Sequence, residues 1–163
     1  MREIENTGGL DLRAKLLAMS PSELSIKPSA HLPHVWAALL DWGMRGGSAT
    51  IAVVADGTVS MYTSAGGGMI GAGQHQSIHM PAARFLKTVE AIVDSLPAAT
   101  EAPLPKEGEA AVVALTYEGM RRGLVELRLL TGKDPIARAW VAGQDLITAL
   151  RELEESLKKG QKT

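Results

Sequence analysis

Five glycines fall close together in one segment of the chain, residues 64–79. Within it, Gly66, Gly68 and Gly71 satisfy the pattern G-x-G-x-x-G, and Gly73 follows two residues later. A glycine-rich turn between a strand and a helix can point backbone N–H groups at a phosphate. These four glycines are therefore the candidate residues for binding a phosphate or a nucleotide.

The surroundings of this motif favour a structural role instead. A dinucleotide-binding fold needs a parallel β-α-β unit with an acidic residue at the end of the next strand. Here the preceding strand is expected to close a hairpin, and Glu90 is expected in the middle of a helix. No Gly-Lys-Ser/Thr follows, which excludes a P-loop. The favoured interpretation is that the glycines permit positive φ and close backbone approach, with anion binding as the alternative.

The four histidines of the chain form two pairs with spacings that suit metal ligands. His75 and His79 are four residues apart, and His31 and His34 are three apart. Two imidazoles at the first spacing can bind one metal ion from the same face of a helix. Gln76 stands where a zinc-protease helix has its glutamate base, so hydrolysis by that route is excluded. A divalent transition metal is thus the possible cofactor, although polar histidines around a helix start are the favoured interpretation.

Composition excludes several other classes of function. The chain has 163 residues, the length of one domain, and a formal net charge of −1, which leaves no excess to attract nucleic acid or anionic lipid. Without cysteine it has no disulfide, thiolate metal site or cysteine nucleophile, as is typical of a reducing cytoplasm. No Gly-x-Ser-x-Gly sequence occurs, and the carboxylates are scattered. We expect a cytoplasmic protein that binds neither nucleic acid nor membrane. A non-catalytic role is favoured, with an enzyme that lacks a recognisable motif as a further alternative.

The periodicity of apolar residues predicts the elements that would position these side chains. Residues 1–9 are expected to form a flexible tail and residues 10–160 a single domain. Helices are predicted over 10–19, 33–43, 81–96 and 146–159, the last of them capped by Asp145. Strands are predicted over 49–55, 58–64, 110–118, 124–131 and 136–142, with the first two joined by a hairpin turn at Asp56 and Gly57. Arg121 and Arg122 are expected in a solvated turn.

This pattern predicts an α+β fold, a mainly antiparallel five-stranded sheet flanked by helices in the order α-α-β-β-α-β-β-β-α. The order resembles the roadblock/dynein-light-chain-like group of profilin-like domains over residues 33–158. The resemblance rests on the order of the elements. It implies a non-catalytic, homodimeric regulatory or scaffold module that often works beside a small GTPase.

A long region almost without charge supports self-association. Between Arg45 and Arg84 the single formally charged residue is Asp56. Such a region is poorly suited to a fully solvated face, so part of it is expected to be buried again by a second copy. The interface is predicted at the outer hairpin edge and the start of the following helix, with these residues: Met61, Met69, Ile70 and Ile78. A charge at the centre of that interface, as in Ile78→Glu or Met61→Lys, is expected to yield a folded monomer.

Overall fold

The computed structural model describes residues 8–161, so the predicted tail lies mostly outside the described residues. Three α-helices are described: α1 (Gly8–Ala18), α2 (Gln76–Ile92) and α3 (Pro135–Gln161). The strands are β1 (Val35–Met44), β2 (Gly47–Val54), β3 (Val59–Thr63), β4 (Gly68–Met69), β5 (Ala98–Ala99), β6 (Glu109–Thr116) and β7 (Gly119–Glu126). Short 3-10 turns occupy Pro21–Leu24, Ala72–Gln74, Val93–Ser95 and Leu127–Leu129.

The strands form one antiparallel sheet in the order β4-β3-β2-β1-β6-β7-β5. The predicted α+β class with an antiparallel sheet is confirmed, but the sheet has seven strands and not five. The predicted hairpin is also confirmed, with Ala49 paired with Thr63 and Val53 with Val59. β4 and β5, at the two edges, are only two residues long each. Such short edge strands limit edge-to-edge pairing with other chains.

The helix predicted over residues 33–43 is wrong, because this segment is the central strand β1. It pairs with β2 on one side and β6 on the other, and Val35 through Leu40 are buried on both faces of the sheet. A strand covered on both faces reads as a continuous apolar run, and such a run also contains a helical stripe. The local pattern therefore could not separate the two structures.

The strand predicted over residues 136–142 is also wrong, because α3 begins at Pro135 and continues for 27 residues. Asp134, not Asp145, lies at its start, where the Asp134 Oδ1 atom accepts a hydrogen bond from the Ile136 N–H at 3.0 Å. Proline is favoured in the first turn, where its missing N–H has no helical partner. The buried positions of α3 then recur at helical spacing: 136, 139, 142, 146, 147, 150 and 153.

The other boundaries shift for local reasons. α2 begins at Gln76, five residues before the predicted start, and contains Pro81. The turn between β6 and β7 lies just before Gly119, so Arg121 and Arg122 are half-buried within β7 and not in a solvated turn. Arg121 Nη1 donates to the Leu96 carbonyl at 2.8 Å, and Arg122 Nη2 donates to the Pro103 carbonyl at 2.7 Å. Both arginines therefore hold the linker that precedes β6 against β7 through hydrogen bonds to its backbone.

Helices and linker segments cover both faces of the sheet. α2 and α3 pack on the first face and enclose the main core around Phe85, Val112 and Leu146. On the second face, α1 and the residues that follow it pack with Ala102 over a smaller cluster around Trp36 and Val113. The N-terminal region is therefore a layer of the fold, and its removal would expose an apolar sheet face.

Candidate functional site

The glycine-rich segment is the turn of the β3–β4 hairpin. Gly66 and Gly67 have φ values of 98° and 83°, a conformation that favours glycine. The Thr63 N–H donates to the Gly67 carbonyl at 3.2 Å, and the Gly66 N–H donates to the Thr63 carbonyl at 3.3 Å. These backbone groups thus bond to each other and are not directed at a ligand.

The remaining candidate glycines are required by close backbone approach and by positive φ. A Cβ atom on Gly68 would lie 2.2 Å from the Met61 carbonyl oxygen. One on Gly73 would lie 1.9 Å from the Gly57 carbonyl oxygen. Gly71, with φ of 75°, precedes the turn Ala72–Gln74. The structural interpretation of the motif accounts for all of these positions.

The histidines do not gather into one site. The His34 Nδ1 atom lies 3.3 Å from a Glu90 carboxylate oxygen, and His75 is the N-cap residue of α2. His31 and His79 instead line the same cavity. Within residues 8–161, no group of three or more histidine, cysteine, aspartate or glutamate side chains is arranged to hold a metal ion. The predicted four-histidine metal site is therefore not assembled.

His79 has a fixed hydrogen bond that defines its protonation at one nitrogen. Its Nε2 atom lies 2.8 Å from the Gly73 carbonyl oxygen. A carbonyl only accepts hydrogen bonds, so Nε2 carries the hydrogen. Nδ1 is then an acceptor in the neutral ring and a donor in the imidazolium. The bond also ties the first turns of α2 to the segment that contains Gly73.

The cavity at His31 and His79 lies between α2, the β2–β3 hairpin and the segment before β1. Its volume is about 250 Å³. Its interior is apolar, with walls from Leu32, Val53, Val59, Ala82 and Leu86. Lys87 joins the two histidines in lining it. This combination of an apolar interior with nitrogen-bearing groups is typical of a small-molecule site.

A wider groove of about 850 Å³ runs between α2 and α3 on the outer side of the helical layer. Met80 and Val141 stand in it with 72% and 58% of their surface exposed. Four charged side chains also line it: Arg84, Lys87, Arg138 and Asp145. In the part of the chain that the structure describes, none of these four forms an ion pair. The groove and the cavity are neighbours that share Ala83 and Lys87.

The residues predicted for a dimer interface are used by the fold itself. Ile78 and Met69 are buried in the main core, at 0% and 3% exposure, and Met61 packs against that core. Ile70 packs on the second face of the sheet. β4 pairs with β3 at Met61 and Tyr62, which covers the outer edge of the hairpin. Ile78 and Met69 therefore offer little surface to a second copy, whereas Met61 and Ile70 are half-buried, and self-association stays a prediction.

The scarcity of charge between Arg45 and Arg84 has an explanation within one chain. β2, at the start of this region, has seven of its eight residues buried. Asp56 lies in the turn that follows, where its Oδ1 atom accepts a hydrogen bond from the Thr58 N–H at 2.9 Å. The sheet and helices of the chain therefore bury the uncharged run of β2 without a second copy.

Sequence reasoning missed a buried ion pair that joins α1 to the sheet. Arg13 Nη2 lies 2.6 Å from Asp41 Oδ2, and Arg13 Nε lies 3.1 Å from Asp41 Oδ1. Arg13 also donates to the Ala102 carbonyl at 2.7 Å, and the Thr50 hydroxyl donates to Asp41. Asp41 is fully buried. The signal was present in the sequence, because Asp41 is the single charge in the apolar run 35–44 and a buried carboxylate requires a partner.

Tyr62 lies beside this ion pair and gives a prediction for alkaline pH. Burial raises the pKa of Tyr62 well above its ordinary range, Asp41 raises it further, and Arg13 opposes the rise. The folded state keeps the phenol neutral, whereas the unfolded chain ionises it near pH 10. The contribution of Tyr62 to the free energy of unfolding is therefore fully present below about pH 10. Above that pH it falls by about 1.4 kcal/mol per pH unit.

Tyr62→Phe should remove this part of the alkaline loss, as measured by urea unfolding at pH 9 to 11. Tyr117→Phe is the matched control, because Tyr117 is only half-buried and lies away from the ion pair of Arg13 and Asp41; its pKa is raised by partial burial and by Glu90. The expected result is a flatter pH dependence for Tyr62→Phe than for Tyr117→Phe. Equal slopes would contradict the neutral buried phenol.

Comparison with protein-family models, with curated proteins and with solved structures finds no match to this chain. No helix within residues 8–161 combines the length and the apolar character needed to cross a membrane. Function is therefore inferred from the surfaces of the chain itself. The groove between α2 and α3 and the cavity at His31 and His79 are two such surfaces.

Proposed function

We propose that this chain is a non-catalytic regulatory or scaffold module that acts as a homodimer. The observation that supports this function is the groove between α2 and α3, where Met80 and Val141 are exposed beside small apolar residues. Exposed apolar surface of this kind marks interaction sites in soluble proteins. The charge pattern of α3 favours a second copy of this chain as the partner at the groove.

Arg138, Val141 and Asp145 are exposed at successive turns along one stripe of α3. If two copies of α3 pack antiparallel with a two-fold axis near Val141, Arg138 of one copy faces Asp145 of the other. The symmetry generates the same contact a second time. The stripe is thus complementary to itself in charge, with an apolar residue at its centre.

The roadblock resemblance extends this proposal to a further partner. The resemblance rested on an element order that began with a helix over residues 33–43. That segment is strand β1, so membership of the roadblock group stays a proposal. On that proposal, a small GTPase is the protein partner of the dimer. Arg84 and Lys87, which form no ion pair within the described residues, are available for its acidic side chains.

Charge reversal tests the two-fold arrangement directly. Arg138→Asp and Asp145→Arg should each weaken the dimer at least about tenfold, because like charges then face each other twice. An equimolar mixture of the two variants should form heterodimers, since each copy then supplies the charge that the other lacks. Analytical ultracentrifugation of the single variants and of the mixture measures both effects.

Leu129→Glu is the matched control, because Leu129 is 62% exposed and lies outside the groove. It should leave the association unchanged, whereas Val141→Glu should abolish it. Wild-type protein that sediments as a monomer at high micromolar concentration would contradict the proposed dimer. Single variants that dimerise like the wild type would place the interface on another surface.

A second candidate function, the binding of a small molecule, is favoured by the cavity at His31 and His79. The sequence motif predicts such a site at the glycines, but Gly66 and Gly68 serve the β3–β4 hairpin. The cavity shares Ala83 and Lys87 with the groove, but no residue of α3 lines it.

A further inference from the structure

We propose that the cavity between α2, the β2–β3 hairpin and the segment before β1 binds a small carboxylate with a hydrocarbon chain. The hydrocarbon occupies the apolar interior, and the carboxylate stays at the rim beside Lys87 and the two histidines. This inference goes beyond the proposed dimer and does not depend on it.

The interior of the cavity selects for hydrocarbon. Val53 and Val59 form its wall on the hairpin, and Ala82 and Leu86 form its wall on α2. All four are buried, with exposures between 1% and 5%. A polar group placed among them would lose its hydrogen bonds to water without a replacement, so the inner end of the ligand has to be apolar.

The rim of the cavity selects for an anion. Lys87, His31 and His79 are its nitrogen-bearing side chains, and no acidic side chain lines it among the residues that the structure describes. Lys87 has no ion-pair partner within that same part of the chain. A carboxylate at this position gains a cation without displacing an existing pair.

His79 is held in a suitable orientation before any ligand binds. Its Nε2–H donates to the Gly73 carbonyl, which fixes one edge of the ring. The Nδ1 atom is the ring nitrogen that this bond leaves available for a ligand. The ring therefore lines the cavity with little further loss of side-chain freedom on binding, because the bond to Gly73 already restricts it, and Lys87 supplies the charge.

The volume limits the length of the ligand. At about 250 Å³ the cavity lies below the range of roughly 300–1,000 Å³ found for drug-sized ligands. A medium-length chain is therefore favoured over a long acyl chain. Octanoate is the probe, with butanoate and dodecanoate as shorter and longer members of the series.

The experiment measures binding of octanoate to the full chain by calorimetry and by amide shifts in NMR spectra. 1-Octanol and octylamine are the matched ligands, with the same chain and a neutral or cationic end. Octanoate should bind more tightly than either, and shifts should cluster at residues 53–59 and 79–87. Lys87→Met should weaken octanoate binding about threefold to fivefold and leave 1-octanol binding unchanged.

Ala82→Leu fills the cavity and should weaken octanoate binding about tenfold or more. Ala91→Leu is its control, because Ala91 lies on the same helix but lines only the neighbouring groove. Circular dichroism checks that both variants fold; if Ala82→Leu does not, Lys87→Met decides the proposal. The Arg138→Asp monomer should bind octanoate like the wild type, which separates this site from the dimer.

Three results would overturn the proposal. The first is the absence of octanoate binding at millimolar concentration. The second is octylamine binding as tight as octanoate binding, which would show that the rim does not select an anion. The third is equal weakening by Ala82→Leu and Ala91→Leu, which would place the ligand in the groove between α2 and α3.

Discussion

Replacing Arg13 with methionine is expected to lower the free energy of unfolding by about 3–5 kcal/mol. Asp41 lies in the middle of β1 with no exposed surface, and Arg13 supplies two of its hydrogen bonds. Without the guanidinium, the carboxylate keeps the Thr50 hydroxyl but loses its countercharge. The strand cannot move it to water, so the penalty of a buried unpaired charge falls on the folded state.

Urea unfolding of Arg13→Met, Asp41→Asn and the double variant measures this effect. The double variant should be more stable than Arg13→Met alone, because a neutral amide can keep the Thr50 hydrogen bond without a buried charge. Lys15→Met is the matched control on the same helix, since Lys15 is exposed and forms no ion pair within the described residues. Its effect should stay within about 0.5 kcal/mol. Equal losses for Arg13→Met and Lys15→Met would show that the buried pair does not stabilise the fold.

The second large effect is expected for Ile78→Glu, which should unfold the chain. Ile78 is fully buried in the core between α2 and the sheet. The change removes the burial of an isoleucine and places a carboxyl group where nothing can pair with it, a combined loss of about 5 kcal/mol or more. A loss of that size equals the whole stability of many domains. The sequence-based expectation of a folded monomer for this variant is therefore reversed by the burial of Ile78.

Met80→Glu is the matched control, two residues further along α2. Met80 is 72% exposed, so the same new charge stands in water and the chain should stay folded. Circular dichroism and thermal unfolding of both variants give the comparison. A cooperatively folded Ile78→Glu protein would contradict the packing of α2 on the sheet.

The elements with local signals could be predicted from the amino-acid sequence alone. The β2–β3 hairpin was predicted because Asp56 and Gly57 form a turn, and Gly57 has the positive φ of 95° that such a turn requires. Most of α2 was predicted because its buried residues recur at helical spacing. In both cases the residues that decide the structure are near neighbours in the chain.

Segments buried on several sides were not determined in this way. β1 has apolar residues on both faces, so its pattern fitted a helix as well as a strand. Its hydrogen-bonded pairing with β2 and β6 stabilises the strand conformation. The first turns of α3 contain residues that favour strands, such as Ile136 and Val141, but packing on the sheet and the cap at Asp134 decided for the helix.

The candidate sites depended on tertiary structure even more strongly. The sequence supplied the histidines, but only the docking of α2 brought His79 to the same cavity as His31 and left His34 beside Glu90. Arg13 and Asp41 are 28 residues apart and meet because α1 packs on the second face of the sheet. Contacts between distant residues depend on strand register and helix packing, which are determined by interactions along the whole chain. A short motif therefore cannot predict which distant residues will meet.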